Sequence, residues 1–179
     1  MASILSYTSG PSLTVLAGGT GAAGGILGSG YNAGERPNRI AGISCRASGG
    51  LPTNWFSPAG FTLDHYVLGS DPTSGRGVCE GPGIADTDFS IDKNFKLGER
   101  VTMKFSLDFF NFFNKVQFRG DSINMSLSNG GTVCTAASPC AGYANDTLQW
   151  SPSLVQGNFG QITNDRGPRE VQYGLKIDF

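Results

Sequence analysis

Three stretches of this chain alternate strictly between apolar and polar residues, and that alternation restricts the fold more than any other feature. In VTMKFSLDF, Val101, Met103, Phe105, Leu107 and Phe109 take one side, and Thr102, Lys104, Ser106 and Asp108 take the other. In TDFSIDKNF, Phe89, Ile91 and Phe95 share a side interrupted by Lys93, with Ser90, Asp92 and Asn94 opposite. REVQYGLKIDF ends the sequence with Val171, Tyr173, Leu175, Ile177 and Phe179 against Glu170, Gln172, Gly174, Lys176 and Asp178. Successive strand side chains point to opposite faces, whereas a helix repeats its apolar residues three and four apart. Each stretch therefore reads as a strand with one apolar and one polar face. KLGER, Lys96 to Arg100, is a tight turn with Gly98 free to take a positive φ, so the first two strands form a hairpin over 84–113.

The remainder is loop-like. Ala2 to Gly19 reads as one strand broken at Gly10–Pro11 or as two short ones, and Ile123, Met125 and Leu127 alternate weakly. Residues 18–83 carry Gly, Pro, Ser and Asn with almost no period, and GGTGAAGGILGSG is low-complexity. RPNRI and WFSPAGF resemble pinned loop segments with aromatic anchors. A compact domain seldom carries so long a structureless loop, so either it is an extended surface loop or short strands lie hidden in it. The organisation expected is a single β domain over 1–179, with a long loop region over 18–83, a loop with a disulfide over 119–150, and a closing strand over 169–179.

Composition narrows the function. Charged residues make up 15% and Gly 27 of the 179, which favours strands and loops over helices. The net charge of -1 gives no electrostatic case for nucleic acid. One histidine, His65, leaves little for a histidine-based catalyst. Asp86, Asp88, Asp92 and Asp108 are acidic, but nothing sets a carboxyl pair at a hydrolase separation. No phosphate loop, calcium ligand ladder or zinc spacing appears, and the Asn-x-Ser/Thr matches at Asn124 and Asn145 read as chance. The chain is expected not to be an enzyme and to need no cofactor or metal. The sequence shows no run of apolar residues long enough for a transmembrane helix and no signal-peptide pattern at MASILSYTSG. The four cysteines suit disulfides in an oxidising compartment. Cys134 and Cys140 bracket a short turn-rich loop, TAASP, and read as a bridge; Cys45–Cys79 follows by elimination.

A β-sandwich could bury the same apolar faces. An outer-membrane barrel accounts for more: continuous aromatic faces with little else to cover them, strands of the ~9–11 residues that cross a bilayer at a tilt, and short turns alternating with long loops. In a barrel the apolar faces meet lipid, and Asp92, Lys104, Asp108 and Lys176 face the lumen. A last strand ending on phenylalanine resembles the assembly signal of outer-membrane barrels. Val171, Tyr173, Leu175, Ile177 and Phe179 would then be read by the insertion machinery through strand pairing.

The resemblance becomes more specific over GPGIADTDFSIDKNFKLGERVTMKFSLDFFNFFNKVQF, Gly81 to Phe118. It is similar to the near-terminal hairpin of TonB-dependent receptors, closest to the Oar-like group with a carboxypeptidase-regulatory-like domain. The matching residues are Gly81-Pro82-Gly83, Lys93-Asn94-Phe95 and Phe110-Asn111-Phe112-Phe113-Asn114. FGQITNDRGPREVQYGLKIDF resembles the group's last segment, and TSGPSLTVLAGG and ERPNRIAG resemble earlier ones. The resemblance implies an all-β fold of antiparallel strands from a partial outer-membrane barrel with long loops. It implies location in the outer membrane and partners in outer-membrane lipid and an inner-membrane energy-coupling protein. Such receptors have a plug, a coupling segment and a barrel of about twenty-two strands, so this chain is expected to hold the C-terminal strands and not to transport alone. The alternative is a self-assembling structural β-protein, a tube or filament of copies paired through strand edges.

Overall fold

A computed structural model describes residues 1–17, 36–48, 54–127, 132–150 and 158–179. The GGTGAAGGILGSG stretch lies outside the described residues. The strands, in chain order, are β1 Ala2–Thr8, β2 Ser12–Leu13, β3 Leu16–Ala17, β4 Asn38–Arg39, β5 Phe61–Thr62, β6 Tyr66–Val67, β7 Cys79–Glu80, β8 Ile84–Lys96, β9 Thr102–Phe110, β10 Ser126–Leu127, β11 Thr132–Cys134, β12 Thr147–Gln149 and β13 Glu170–Asp178. Two 3-10 turns, Pro58–Gly60 and Gly120–Ser122, are the only helical elements among the described residues. The fold is all-β and, apart from the short parallel pair β3–β10, antiparallel.

The described residues divide into two compact units where the sequence suggests one domain. The first, residues 1–10, 82–119 and 164–179, is an antiparallel sheet of four strands in the order β1-β8-β9-β13. The alternating stretches supply its three longest strands, each a residue or more from the expected bounds. The Leu97 N–H bonds the Val101 carbonyl at 2.9 Å and Gly98 takes φ +131°, closing the hairpin as its glycine allows. Where β9 ends, the edge of β8 stays satisfied. The Phe112 N–H donates to the Thr87 carbonyl, and the buried Gln117 amide both accepts from the Ala85 N–H and donates to the Ala85 carbonyl. A side-chain amide thus stands in for the missing backbone partner.

Both long excursions leave this sheet from one rim. β1 ends and β8 begins where Thr8 pairs with Ile84, and β9 ends and β13 begins where Phe110 pairs with Glu170. The 97–101 turn and the end of β13, where Asp178 pairs with Thr102, mark the other rim.

The second unit, residues 11–81 and 120–163, holds the remaining short strands and a core. Ala17, Leu63, Tyr66, Leu148 and Trp150 pack together, with Leu68 and Val133 against them. β12 lies between β11 and β6, β2 pairs with β7, and β4 pairs with β5. The described parts of 18–83 and 119–150 are therefore not plain loop. Two- and three-residue strands are too short to show a period, which is why the alternation does not reveal them. Ile123 and Leu127 are buried, but the weak alternation there resolves into a 3-10 turn, a bridge from Ile123 to Ile162, and β10.

Candidate functional site: the two faces of the strand sheet

The register of the first unit sorts its side chains. On one face Phe89 pairs with Phe109, Ile91 with Leu107 and Phe95 with Met103. Val171, Tyr173, Leu175 and Ile177 extend this face across β13, and Leu5 and Tyr7 extend it across β1. Nothing among the described residues buries it: Leu5 and Tyr173 are each 79% exposed and Leu175 is 60% exposed. Phe89, Phe109, Phe112 and Phe113 form an aromatic cluster at the excursion rim, with ring centroids 5.2–6.5 Å apart. Phe113 stays 72% exposed. Phe179 follows the last strand by one residue and is also exposed. Aromatics at both ends of an apolar band are the pattern of a strand sheet crossing a bilayer. Lys93 interrupts the face, with its ammonium 6.0 Å from the Phe95 ring centroid.

The opposite face is polar. Asp92, Lys104, Asp108 and Lys176 all fall on it, with Ser90, Ser106 and Gln172. Lys104 pairs with Asp92 at 3.2 Å, and the Ser90 hydroxyl donates to Asp108 at 2.5 Å. Lys176 meets not Asp92 or Asp108 but Asp178, at 2.8 Å, two residues along its own strand. Ile4, apolar in sequence, also lies on this face because it pairs with Asp88.

Length fits the span. β9 and β13 have nine residues each. At about 3.3 Å per residue that is about 30 Å, or about 23 Å along the normal at a tilt of ~40°, close to the ~25 Å apolar band of outer-membrane barrels.

The outer membrane beta barrel domain family matches residues 1–172. The chain belongs to that family. No curated protein and no solved structure matches it. The barrel domain described here is an open sheet: β1 and β13 each pair on one side only, and no strand among the described residues closes the circle. Family membership assigns it to the outer membrane.

The second unit of the barrel domain carries both disulfides expected from the sequence, Cys45–Cys79 and Cys134–Cys140. It also carries a polar constellation that sequence reading missed. The Asp64 carboxylate accepts from the Tyr143 hydroxyl at 2.6 Å and from the Trp150 N–H at 3.4 Å. The Tyr143 hydrogen bond lowers the Asp64 pKa, against the opposing effect of burial, with smaller help from the Trp150 amide and His65. The same bond raises the Tyr143 pKa. His65 stacks on Tyr143 with ring centroids 4.2 Å apart and holds φ +55°. No local motif marks these residues; Asp64 and Tyr143 are 79 positions apart.

Proposed function

We propose that this barrel domain forms the C-terminal strands of a TonB-dependent receptor-like transporter of the outer membrane. The observation that supports the barrel part of the reading is the sheet itself: bilayer-length strands with an exposed aromatic-rich face, interrupted by Lys93, on one side and paired charges on the other; the receptor part rests on the sequence resemblance over Gly81 to Phe118. In that role the apolar face contacts lipid, and Asp92, Lys104, Asp108 and Lys176 line the lumen. Val171 to Phe179 is the segment read by the insertion machinery. The cystine-bearing excursions supply the ligand-meeting surface. Uptake is driven by an inner-membrane energy-coupling partner, and this chain takes no catalytic part.

A second reading rests on the open edges of β1 and β13. In lipid each unpaired backbone group costs several kcal/mol, so an edge must pair with another strand, from a longer barrel or from a second copy. The alternative function is a structural assembly of copies paired edge to edge.

Light scattering of the purified chain, with and without detergent and beside a far-UV spectrum, separates the two. Strand-rich particles of one size only in detergent support the barrel. Large regular assemblies in plain buffer support the structural reading instead. Transport is tested in cells: uptake by a receptor carrying this chain must stop when the energy-coupling protein is deleted, and persistence of uptake removes the receptor reading.

A further inference from the structure

The second unit contains a cavity that neither face of the strand sheet uses. It measures about 430 Å³ and opens beside the Pro58–Gly60 turn, within the size range of small-molecule sites. Ile40, Pro58, Phe61 and Trp150 give its apolar wall, and Thr62 and Asp64 its polar side. Phe61 and Trp150 are almost wholly buried, so this wall is anchored in the core of the unit.

The carboxylate in this cavity has no ion-pair partner among the described residues, and only His65 adds a favourable charge effect. Among the described residues the two donors within hydrogen-bond distance of the Asp64 carboxylate, the Tyr143 hydroxyl and the Trp150 N–H, are neutral, and both go to Oδ1, while the His65 backbone adds a weaker effect. No cationic side chain pairs with Asp64 among the described residues. Arg39 stacks its guanidinium 4.7 Å from the Phe61 centroid but donates to the Gly60 and Ile43 carbonyls. A carboxylate whose Oδ2 takes no hydrogen bond among the described residues, bordering an apolar cavity, is an acceptor matched to a cation.

We propose that this cavity binds a small ligand with an apolar body and a primary ammonium group, the ammonium donating to Oδ2 of Asp64 and the body lying against Phe61 and Trp150. A neutral ligand of the same shape gains only the apolar burial. An ammonium adds a charge-assisted hydrogen bond, and a carboxylate is repelled. The inference concerns the second unit alone and holds whether or not the strands serve a transporter.

The test titrates phenethylammonium, 2-phenylethanol and phenylacetate into the full chain in detergent, followed by calorimetry. The ammonium is expected to bind saturably at one site about tenfold more tightly than the alcohol, with no binding of phenylacetate. Asp64→Asn keeps an oxygen for Tyr143 and should bring the ammonium down to the level of the alcohol. Ala59→Phe, at an exposed position in the cavity wall, should remove binding of both while leaving Asp64 and the core untouched. Equal binding of ammonium and alcohol, no saturable binding of the ammonium, or a preference surviving either substitution overturns the proposal.

Discussion

The Tyr143 hydroxyl donates to the Asp64 carboxylate over 2.6 Å. This bond lowers the pKa of Asp64 and raises that of Tyr143, so its contribution to stability is bounded on both sides. A depressed carboxylate pKa stabilises the fold above the ordinary carboxylate value, and the gain is lost as pH falls through the lowered pKa. A raised phenol pKa stabilises below the ordinary tyrosine value, and the gain is lost as pH rises through the raised one. His65 and the Trp150 N–H, the other groups acting on Asp64, remain in the variant. Tyr143→Phe is therefore expected to lower the melting temperature between about pH 4 and 10 and to converge on the parent chain at both extremes. A pH-independent difference in melting scans would mean that the bond does not couple to titration.

The disulfides should differ in worth because they close loops of different length. Cys45 and Cys79 are 34 residues apart, Cys134 and Cys140 only 6. Loop-closure entropy gives about 4 kcal/mol for the first and about 2 kcal/mol for the second. Urea unfolding followed by tryptophan fluorescence should show the paired Cys45→Ala and Cys79→Ala variant losing about twice what the Cys134→Ala and Cys140→Ala variant loses. The reverse order would place the weight on native-state contacts of the short loop.

Gly160 is a position where no other residue fits. It holds φ +74°, and a Cβ there would run into the Phe56 backbone, while its carbonyl accepts from the N–H groups of Trp55 and Phe56. Gly160→Ala is expected to cost about 3 kcal/mol or more, from backbone strain together with the clash. An unchanged unfolding midpoint would show that this bridge yields freely.

The two faces of the sheet should respond oppositely to charge. Leu107 and Ser106 are neighbours on β9, yet Leu107 sits between Ile91 and Tyr173 on the apolar face, and Ser106 sits beside Gly174 on the polar one. In lipid vesicles, Leu107→Arg is expected to lose about 2–4 kcal/mol of folding stability, as charges on the lipid side of barrels do. Ser106→Arg should lose little, because Gly174 leaves room beside it. Equal losses at both positions, measured by urea titration in vesicles, would remove the assignment of the apolar face to lipid.

The strand sheet was legible because a period of two survives any loop placed around it. Phe89, Ile91, Phe105, Leu107, Leu175 and Ile177 declare one face in sequence, and the register assembles them on it, with Lys93 opposite Phe105 as the interruption the sequence already shows. Pairing inside β1 was less clear: Ile4 and Leu5 are adjacent and equally apolar, and only the partner strand decides that Leu5 joins Phe89 while Ile4 meets Asp88. The second unit was illegible for a different reason. Its strands of two or three residues are too short for any pattern, and its core draws Ala17, Leu63 and Trp150 from distant points of the chain. Asp64 and Tyr143 meet only through that packing, and neither carries a local signature.

All backbone pairs of the four-stranded sheet lie within residues 2–8, 84–110 and 170–178, while the second unit occupies 11–81 and 120–163. The chain passes between them only at four junctions on one rim. Mutation or recombination inside those two excursions can rewrite the second unit without altering a ladder bond of the four-stranded sheet. The arrangement makes the excursions an exchangeable cassette: their sequence can diverge while the staves stay constant.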